Sequence, residues 1–290
     1  MTIPSPQQLL ATYGLSPKYS FGQNFLCDRN LTRKIAHLAV GEGDAVVLEL
    51  GAGLGALTDE LLATQCVLSV VERDRDLVPA LRQIFASACE SGQLEVLEAD
   101  AKTLDFAEVL RARTADQSAA AGWVLTGNLP YQITGPLLEK TVQLGRHIRR
   151  AVYLVQKEVA DRLAAKEGSK DYGALTVFVQ AQFEVERAFV IKAGAFHPRP
   201  RIDSAVVVLQ PRAVPLSEET PAFRQVVKSA FAARRKTLRN AWKSLLPADE
   251  LDQLAARCGV SLDQRGETLT VQQFAQVANA LAALRPGHAQ

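Results

Sequence analysis

The segment Asn128-Leu129-Pro130-Tyr131 combines residue types that could hold the exocyclic amine of an adenine for attack on an electrophile. Such an amine is a poor nucleophile because its lone pair is delocalised into the ring. The side-chain oxygen of Asn128 and the carbonyl of Leu129 could each accept one N–H and so favour the lone pair for attack. Pro130 would stiffen the turn, and Tyr131 would offer a face for the base to stack on. A proline turn with a core tyrosine is the structural alternative.

Three other positions could bind the nucleoside part of a small ligand. Residues 49–55 are rich in glycine; Gly51 would let the backbone approach a ligand, and the helix that follows would offer unpaired N–H groups. Glu72 could accept both hydroxyl hydrogens of a ribose, and Asp100 could accept an adenine amine. The structural alternatives are a tight turn, a solvated glutamate and a helix N-cap at Asp100.

The elements that must position these residues are short apolar runs that alternate with helical periodicity. Strands are predicted at residues 45–50, 66–72, 94–98, 123–126 and 150–156. This βαβ order indicates a mostly parallel sheet with helices on both faces. Ligands of such sheets bind outside the carboxyl ends of the strands. Four successive strand ends carry Gly51, Glu72, Asp100 and Asn128, which favours a ligand site over four unrelated loops.

The electrophile that suits this set is a sulfonium methyl group. S-adenosylmethionine fits an adenosine site that has no phosphate to neutralise. A dinucleotide would instead place its pyrophosphate on a G-x-G-x-x-G turn, whereas the glycines at 51, 53 and 55 are spaced G-x-G-x-G. No metal is expected, because a nitrogen sheds its proton readily once it is alkylated.

Composition excludes several classes of protein. The chain has 290 residues, of which 48% are hydrophobic and 22% charged, which is ordinary globular composition. Its four cysteines form no C-x-x-C pair, so neither a zinc site nor a disulfide framework is indicated. No apolar run approaches the roughly 18 residues of a membrane span, and no secretory signal is recognisable. We therefore expect a cytoplasmic protein that does not bind membranes.

The alternating pattern ends near residue 212. Residues 174–186 and 205–210 still look like strands, but only helical periodicity follows, at 223–246, 249–258 and 271–284. A proline-containing acidic segment around 211–221 is typical of a linker. The sequence thus predicts a catalytic domain at residues 1–212 and a small helical domain at 213–290.

Charge is distributed unevenly along the chain. Residues 44–108 carry 13 acidic and 4 basic side chains, whereas residues 221–246 carry 7 basic and no acidic ones. A polyanion would be drawn to the second stretch, although a solvated basic face is the ordinary alternative. In one continuous helix Lys228, Arg235 and Arg239 would share a face. Arg146, Arg149 and Arg150 could add to the phosphate contact. Phosphate contacts are expected from Lys228, Arg234, Arg235, Lys236 and Arg239.

From about Tyr19 to Leu284 the chain resembles the small-subunit ribosomal RNA adenine N6,N6-dimethyltransferases. The matching motifs lie at residues 21–26, 49–55, 72, 100–101, 128–131, 156–160, 196–204 and 231–240. The resemblance implies an α/β fold, a Rossmann-like class I S-adenosylmethionine-dependent methyltransferase sheet with a small all-helical C-terminal domain. One departure is that Lys18 is the single basic residue directly before the first motif, where the family has several.

The resemblance also implies roles for individual residues. The S-adenosylmethionine site would be lined by Asn24, Leu26, Gly51, Glu72, Asp100 and Asn128. The target adenine would be held by Asn128, Leu129, Pro130 and Tyr131, with Phe196 packed against its other face.

The activity implied is the transfer of two methyl groups to each of two adjacent adenosines near the 3′ end of 16S rRNA. The expected partner is this RNA within an immature small ribosomal subunit, and the expected state is a monomer. Two alternatives remain open. One is a large-subunit rRNA dimethyltransferase of the antibiotic-resistance type, and the other is a ribosome-assembly factor whose main task is binding rather than chemistry.

Overall fold

The computed structural model describes residues 3–42, 45–114, 122–232 and 235–284. The chain divides into two compact units. The first comprises Met1–Ala160 and Glu186–Pro211, and the second comprises Asp161–Val185 and Arg212–Gln290.

Nine strands are assigned among the described residues. They are β1 (Phe25–Leu26), β2 (Val46–Leu50), β3 (Val67–Glu72), β4 (Leu94–Glu98), β5 (Trp123–Asn128), β6 (Ile148–Gln156), β7 (Phe183–Ile191), β8 (Phe196–His197) and β9 (Ser204–Pro211). Seven of them form one sheet in the order β4-β3-β2-β5-β6-β9-β7, and β1 pairs with β8 in a separate antiparallel ladder. Neighbours from β4 to β6 are parallel, whereas β9 runs antiparallel to β6.

Helices precede and follow most of these strands. They are α1 (Pro6–Tyr13), α2 (Arg29–Val40), α3 (Ala56–Leu62), α4 (Leu77–Ile84), α5 (Ala86–Glu90), α6 (Phe106–Arg113), α7 (Thr134–Leu144), α8 (Lys157–Leu163), α9 (Ala174–Gln182), α10 (Pro221–Phe231), α11 (Leu238–Trp242), α12 (Ala248–Arg257) and α13 (Val271–Leu284). Every residue of β2 is buried, as expected for a parallel strand covered on both faces. The predicted Rossmann-like sheet with a helical C-terminal region is thus confirmed.

The second unit is built around aromatic side chains that its helices bury completely. Phe223 on α10, Trp242 on α11 and Phe274 on α13 have no exposed surface. The indole Nε1 of Trp242 donates a hydrogen bond of 3.0 Å to the carbonyl of Val226, so the polar edge of this large side chain is paired. Phe178 on α9 meets Phe223 edge to face at 5.9 Å.

Two predictions of secondary structure were wrong. Residues 174–186 form the helix α9 followed by the start of β7, not a strand. The prediction failed because α9 is buried on nearly all sides, so its sequence lacks the amphipathic period that indicates a helix. The basic stretch is not one helix, since α10 ends at Phe231 and α11 begins at Leu238, whose N–H bonds the carbonyl of Gln264. The predicted shared face of Lys228, Arg235 and Arg239 therefore has no helical basis.

The domain boundary predicted at residue 212 falls at a point where the chain passes from the first unit to the second. Asp161–Val185, however, packs with the second unit because Phe178 and Tyr172 join its aromatic core. The division into 1–212 and 213–290 stays a prediction.

Gly127 on β5 allows the two central strands to approach closely. Its φ is +152°, and a Cβ there would lie 2.3 Å from the carbonyl oxygen of Leu50 on β2. We expect Gly127→Ala to destabilise the fold by about 2–3 kcal/mol, since neither backbone can retreat without breaking the ladder. Gly135→Ala is the control, because a Cβ at this position on α7 meets nothing within 4 Å. Thermal unfolding followed by circular dichroism measures both, and equal melting temperatures for the two variants would refute this account.

Candidate active site

The turn after β2 brings backbone N–H groups to the edge of the sheet. Gly51 has a φ of +78°, and its N–H donates to the carbonyl of Val71 at 2.8 Å. The N–H of Gly53 donates to Oε2 of Glu72, also at 2.8 Å. A Cβ on Gly55 would lie 2.4 Å from the ring of Phe85, so the turn fits closely against the helix layer. The turn then opens directly into α3.

Glu72 ends β3 with a carboxylate that is 8% exposed. Its Oε1 accepts the N–H of Asp74 at 2.8 Å, while its Oε2 accepts that of Gly53. Burial raises the pKa of Glu72 despite these backbone donors. The carboxylate is therefore held in a fixed orientation, and it lines the pocket described below.

Side-chain hydrogen bonds and ion pairs attach the segment that contains β1 to the end of β3. Asp74 accepts hydrogen bonds from Nε2 of Gln23 at 2.7 Å and from Nζ of Lys18 at 2.5 Å. Burial alone would raise the pKa of Asp74, but these two donors outweigh it and hold the pKa below its usual range. Lys18 also pairs with Asp76 at 2.6 Å. The one basic residue before the first motif thus serves to anchor the segment.

The segment Asn128–Tyr131 is held from three directions. Nδ2 of Asn128 donates to the carbonyl of Asn24 at 2.8 Å, which orients the amide and leaves Oδ1 as the free acceptor. The N–H of Leu129 donates to the carbonyl of Leu154 on β6 at 3.0 Å. The hydroxyl of Tyr131 lies 2.8 Å from Oγ of Ser204 on β9, and burial raises the pKa of this tyrosine.

Asp100 follows β4 and lies in a charged setting. Its Oδ1 accepts the N–H of Lys102 at 3.0 Å, and its Oδ2 lies 3.4 Å from Nη1 of Arg73. The helix that follows begins at Phe106 with Asp105 as its N-cap, so Asp100 is not the cap of α6. Asp100 therefore lines the pocket as a partly paired carboxylate.

One pocket of the first unit brings most of the predicted residues together. Its lining includes Asn24, Leu26, Gly51, Glu72, Asp100, Asn128, Leu129, Pro130 and Tyr131. Carboxylate acceptors lie at the β3 and β4 ends, and amide and carbonyl acceptors lie at the β5 end. The β3 and β4 ends can therefore bind a ligand that carries hydroxyl and amine groups. The β5 end can hold the planar amine of a second molecule beside it.

Phe196 is the exception. It lies on β8 opposite Leu26, is 5% exposed, belongs to the hydrophobic core and is not part of the pocket lining. Its predicted packing against the target base stays a prediction.

A sequence profile described as ribosomal RNA adenine dimethylase matches residues 14–283. The chain belongs to the ribosomal RNA adenine dimethylase family. One relative is a protein of Anaeromyxobacter sp. (strain K) named ribosomal RNA small subunit methyltransferase A. It is 42% identical over 283 residues, which cover 96% of this chain and 98% of that protein.

Solved structures give the same fold. A dimethyladenosine transferase from Plasmodium falciparum superposes with a TM-score of 0.71 at 23% identity, covering 87% of this chain and 95% of that one. The 23S rRNA methyltransferase ErmE superposes with a TM-score of 0.63 at 26% identity, covering 89% and 99%. The likeness of this dimethylase to both structures extends over most of the chain.

The residues predicted to bind RNA lie in the second unit of this dimethylase. Lys228 is exposed on α10, and Arg235 and Lys236 are exposed between α10 and α11. Arg239 is half exposed and pairs with Asp252 on α12 at 2.8 Å, so the stretch does have an acidic partner. Arg234 lies outside the described residues. The structure leaves their contact with RNA as a prediction.

Arg149 and Arg150 contact backbone carbonyls at the end of α2. Nη1 of Arg150 donates to the carbonyl of Leu38 at 2.8 Å, and Nη1 of Arg149 donates to that of Glu42 at 3.2 Å. Cations at these carbonyls complement the C-terminal end of α2. That they extend the phosphate-binding surface stays a prediction.

Sequence reasoning missed several residues that build the site. Gln23 and Asp74 hold the β1 segment, and Ser204 fixes Tyr131. Ser204 ends the motif at residues 196–204, which could have marked it as a site residue, but its partner Tyr131 could not be inferred from spacing.

Among the described residues no group of three or more His, Cys, Asp or Glu could hold a metal ion. No helix in this part of the chain is long and apolar enough to cross a membrane.

Glu49 on β2 is a second buried carboxyl beside the pocket. Its Oε2 accepts the hydroxyl of Thr58 at 2.7 Å, and burial raises its pKa to about 8. A raised folded-state pKa favours folding while the group is protonated. The stability from this group is therefore greatest below the unfolded pKa of about 4.3 and declines until the pH passes the folded pKa.

We expect Glu49→Gln to remove this decline, because an amide keeps the acceptor and never ionises. The free energy of unfolding of the variant, relative to the parent, should rise by about 3 kcal/mol between pH 5 and pH 8. Urea denaturation at each pH measures it. Glu90→Gln, at an exposed carboxyl on α5, is the matched control. A constant difference for Glu49→Gln would show that this carboxyl is ionised in the folded protein.

Proposed function

We propose that this dimethylase transfers methyl groups from S-adenosylmethionine to N6 of two adjacent adenosines near the 3′ end of 16S rRNA. The observation that carries the proposal is the fixed amide of Asn128. Its Nδ2 is engaged by the carbonyl of Asn24, which leaves Oδ1 as the acceptor of a side chain that lines the pocket. The small-subunit name of relatives about 40% identical supports 16S rRNA over large-subunit RNA as the substrate.

The pocket suits the adenosyl part of the methyl donor. Glu72 keeps a buried carboxylate whose lone pairs are only partly used by two backbone N–H groups, as two ribose hydroxyls require. Asp100 offers an acceptor to the adenine amine, and Gly51 leaves room for close approach of the ligand to the backbone. Asn24, Leu26 and Asn128 complete the set. When bound, S-adenosylmethionine supplies a methyl group on a cationic sulfur.

The target adenine would be held by the segment that follows β5. Oδ1 of Asn128 accepts one N6 hydrogen and the carbonyl of Leu129 accepts the other, so the nitrogen lone pair is directed at the methyl group. Tyr131 supplies the stacking face, and its ring is fixed by Ser204. Pro130 keeps the turn rigid and removes a competing N–H donor. The N6–C bond would form as the bond between the methyl carbon and the sulfonium sulfur breaks and its electron pair returns to sulfur. N6 would then lose a proton to water, so no strong base is needed.

The RNA must present an unstacked adenosine to reach the edge of the sheet, so a loop or helix end is the expected substrate. Contacts from Lys228, Arg234, Arg235, Lys236 and Arg239 would position the RNA without reading its sequence. The proposal also includes an immature small subunit as the natural substrate and a monomer acting in the cytoplasm.

A methyl-transfer assay tests the proposal. Purified protein, labelled S-adenosylmethionine and unmethylated small subunits should yield N6,N6-dimethyladenosine, identified by mass spectrometry of the digested RNA. Asn128→Ala should lower kcat/KM by about 100-fold or more, because an acceptor that acts in the transition state is lost. Gln143→Ala, an exposed amide on α7, is the control and should not change it.

Other outcomes of this assay point to the alternatives. Activity on large-subunit RNA alone would identify the antibiotic-resistance type. Tight subunit binding without methylation of either RNA would identify an assembly factor.

The RNA contact in the second unit is tested separately by its salt dependence. Arg235→Ala combined with Arg239→Ala should lower RNA affinity and reduce the slope of log K against log salt by about 1.4–1.8, since two phosphate contacts are lost. Fluorescence anisotropy with a labelled RNA hairpin between 50 and 200 mM KCl measures the slope. Arg111→Ala, an exposed cation on α6, is the control. An unchanged slope in the double variant would place these arginines away from the RNA.

A further inference from the structure

The loop between β8 and β9 carries cations that the reaction described above does not use. We call residues 198–203 the arginine loop; it contains Arg199 and Arg201, both exposed, and the partly exposed Ile202. The prolines at 198 and 200 restrict its backbone. It belongs to the same compact unit as the pocket.

Both ends of the arginine loop are joined to residues that line the pocket. His197, directly before it, pairs with Phe25 in the β1–β8 ladder. Ser204, directly after it, lies 2.8 Å from the hydroxyl of Tyr131. Phe25 and Tyr131 both line the pocket. Because each residue extends the chain by at most about 3.6 Å, the Cα atom of Arg199 lies within about 7 Å of that of His197, and the Cα atom of Arg201 within about 11 Å of that of Ser204.

The acidic residue of the loop, Asp203, is engaged mainly by Lys192 and Ala193, and Arg199 adds a weaker Coulombic attraction. Oδ1 of Asp203 accepts the N–H of Ala193 at 3.0 Å, and its Oδ2 pairs with Nζ of Lys192 at 2.9 Å. The hydrogen bond from Lys192 holds the pKa of Asp203 below its usual range, so the carboxylate stays ionised and paired. Among the described residues, no carboxylate forms an ion pair with Arg199 or Arg201 within 4.0 Å. Two cations are thus presented to solvent at the rim of the site.

We propose that Arg199 and Arg201 bind the RNA phosphates that flank the target adenosine. The inference rests on the proposed function. An adenosine that enters the pocket beside Tyr131 must bring the phosphates on either side of it to the rim, within reach of the loop. Guanidinium groups bind phosphate oxygens through two parallel N–H donors, which fixes orientation as well as position. The loop thus aligns the flipped nucleotide, and the contact is additional to those expected from residues 228–239.

The test measures binding of a labelled RNA hairpin with loop adenosines, without cofactor, as a function of KCl concentration. Arg199→Ala combined with Arg201→Ala should lower the salt slope by about 1.4–1.8 and the affinity at 50 mM KCl by about tenfold or more. The calorimetric Kd for S-adenosylmethionine should not change. In the methylation assay the KM for RNA should rise while kcat at saturating RNA is retained.

Matched variants separate a phosphate contact from a structural effect. Arg199→Lys with Arg201→Lys keeps both charges and should restore most of the slope. Ile202→Ala, an uncharged change in the same loop, and Arg111→Ala, a charge removed elsewhere, should leave the slope at the parental value. A parental slope in the double alanine variant would overturn the inference while leaving the proposed function intact. A parent protein that neither binds the hairpin nor methylates subunits would overturn the proposed function and this inference with it.

Discussion

The hydrogen bond from Nδ2 of Asn128 to the carbonyl of Asn24 joins two segments that are 104 residues apart in the chain. It closes the β1 segment over the sheet edge and also decides which atom of the Asn128 amide is left to accept a hydrogen. Because an amide can present either a donor or an acceptor, its chemistry depends on this partner. The bond needs β2 and β5 in register, which in turn needs the absence of a side chain at Gly127. Core packing and chemistry are therefore linked through one backbone carbonyl.

Three buried carboxyl groups lie on or directly after β2 and β3, and the fold accommodates each one differently. Glu49 is protonated at neutral pH because burial raises its pKa to about 8. Glu72 accepts two backbone N–H groups, and Asp74 is paired with Lys18 and Gln23. Burying an unpaired charge costs free energy. Protonation of Glu49, backbone hydrogen bonds to Glu72 and the pairing of Asp74 therefore allow these acidic groups to lie close together. Glu72 lines the pocket whereas Asp74 does not, which separates the proposed binding carboxylate from its structural neighbour.

Much of the site could be predicted from the sequence because it depends on topology. Alternating strands and helices place Gly51, Glu72, Asp100 and Asn128 at one edge of a parallel sheet, whatever the loops do. The partners that orient these groups could not be predicted, since Asn24, Asp74 and Ser204 meet them only after folding. Helix breaks were equally hidden. Helix α10 ends at Phe231, and the N–H of Leu238 at the start of α11 donates to the carbonyl of Gln264. The periodicity of the sequence does not encode this tertiary contact.

The charge distribution explains why RNA contacts should lie where they do. Residues 44–108, which carry the cofactor side of the pocket, have 13 acidic and 4 basic side chains and would repel a phosphate backbone. Several of the basic residues nearby are already engaged, since Lys18 binds Asp74 and Arg73 lies 3.4 Å from Asp100. The arginine loop presents two exposed cations of the first unit close to the target-base side. An RNA strand attracted there and repelled from the cofactor side can enter in one orientation, with its flipped base toward Asn128. Electrostatics thus supplies a direction of approach that hydrogen bonds to a single adenine could not impose.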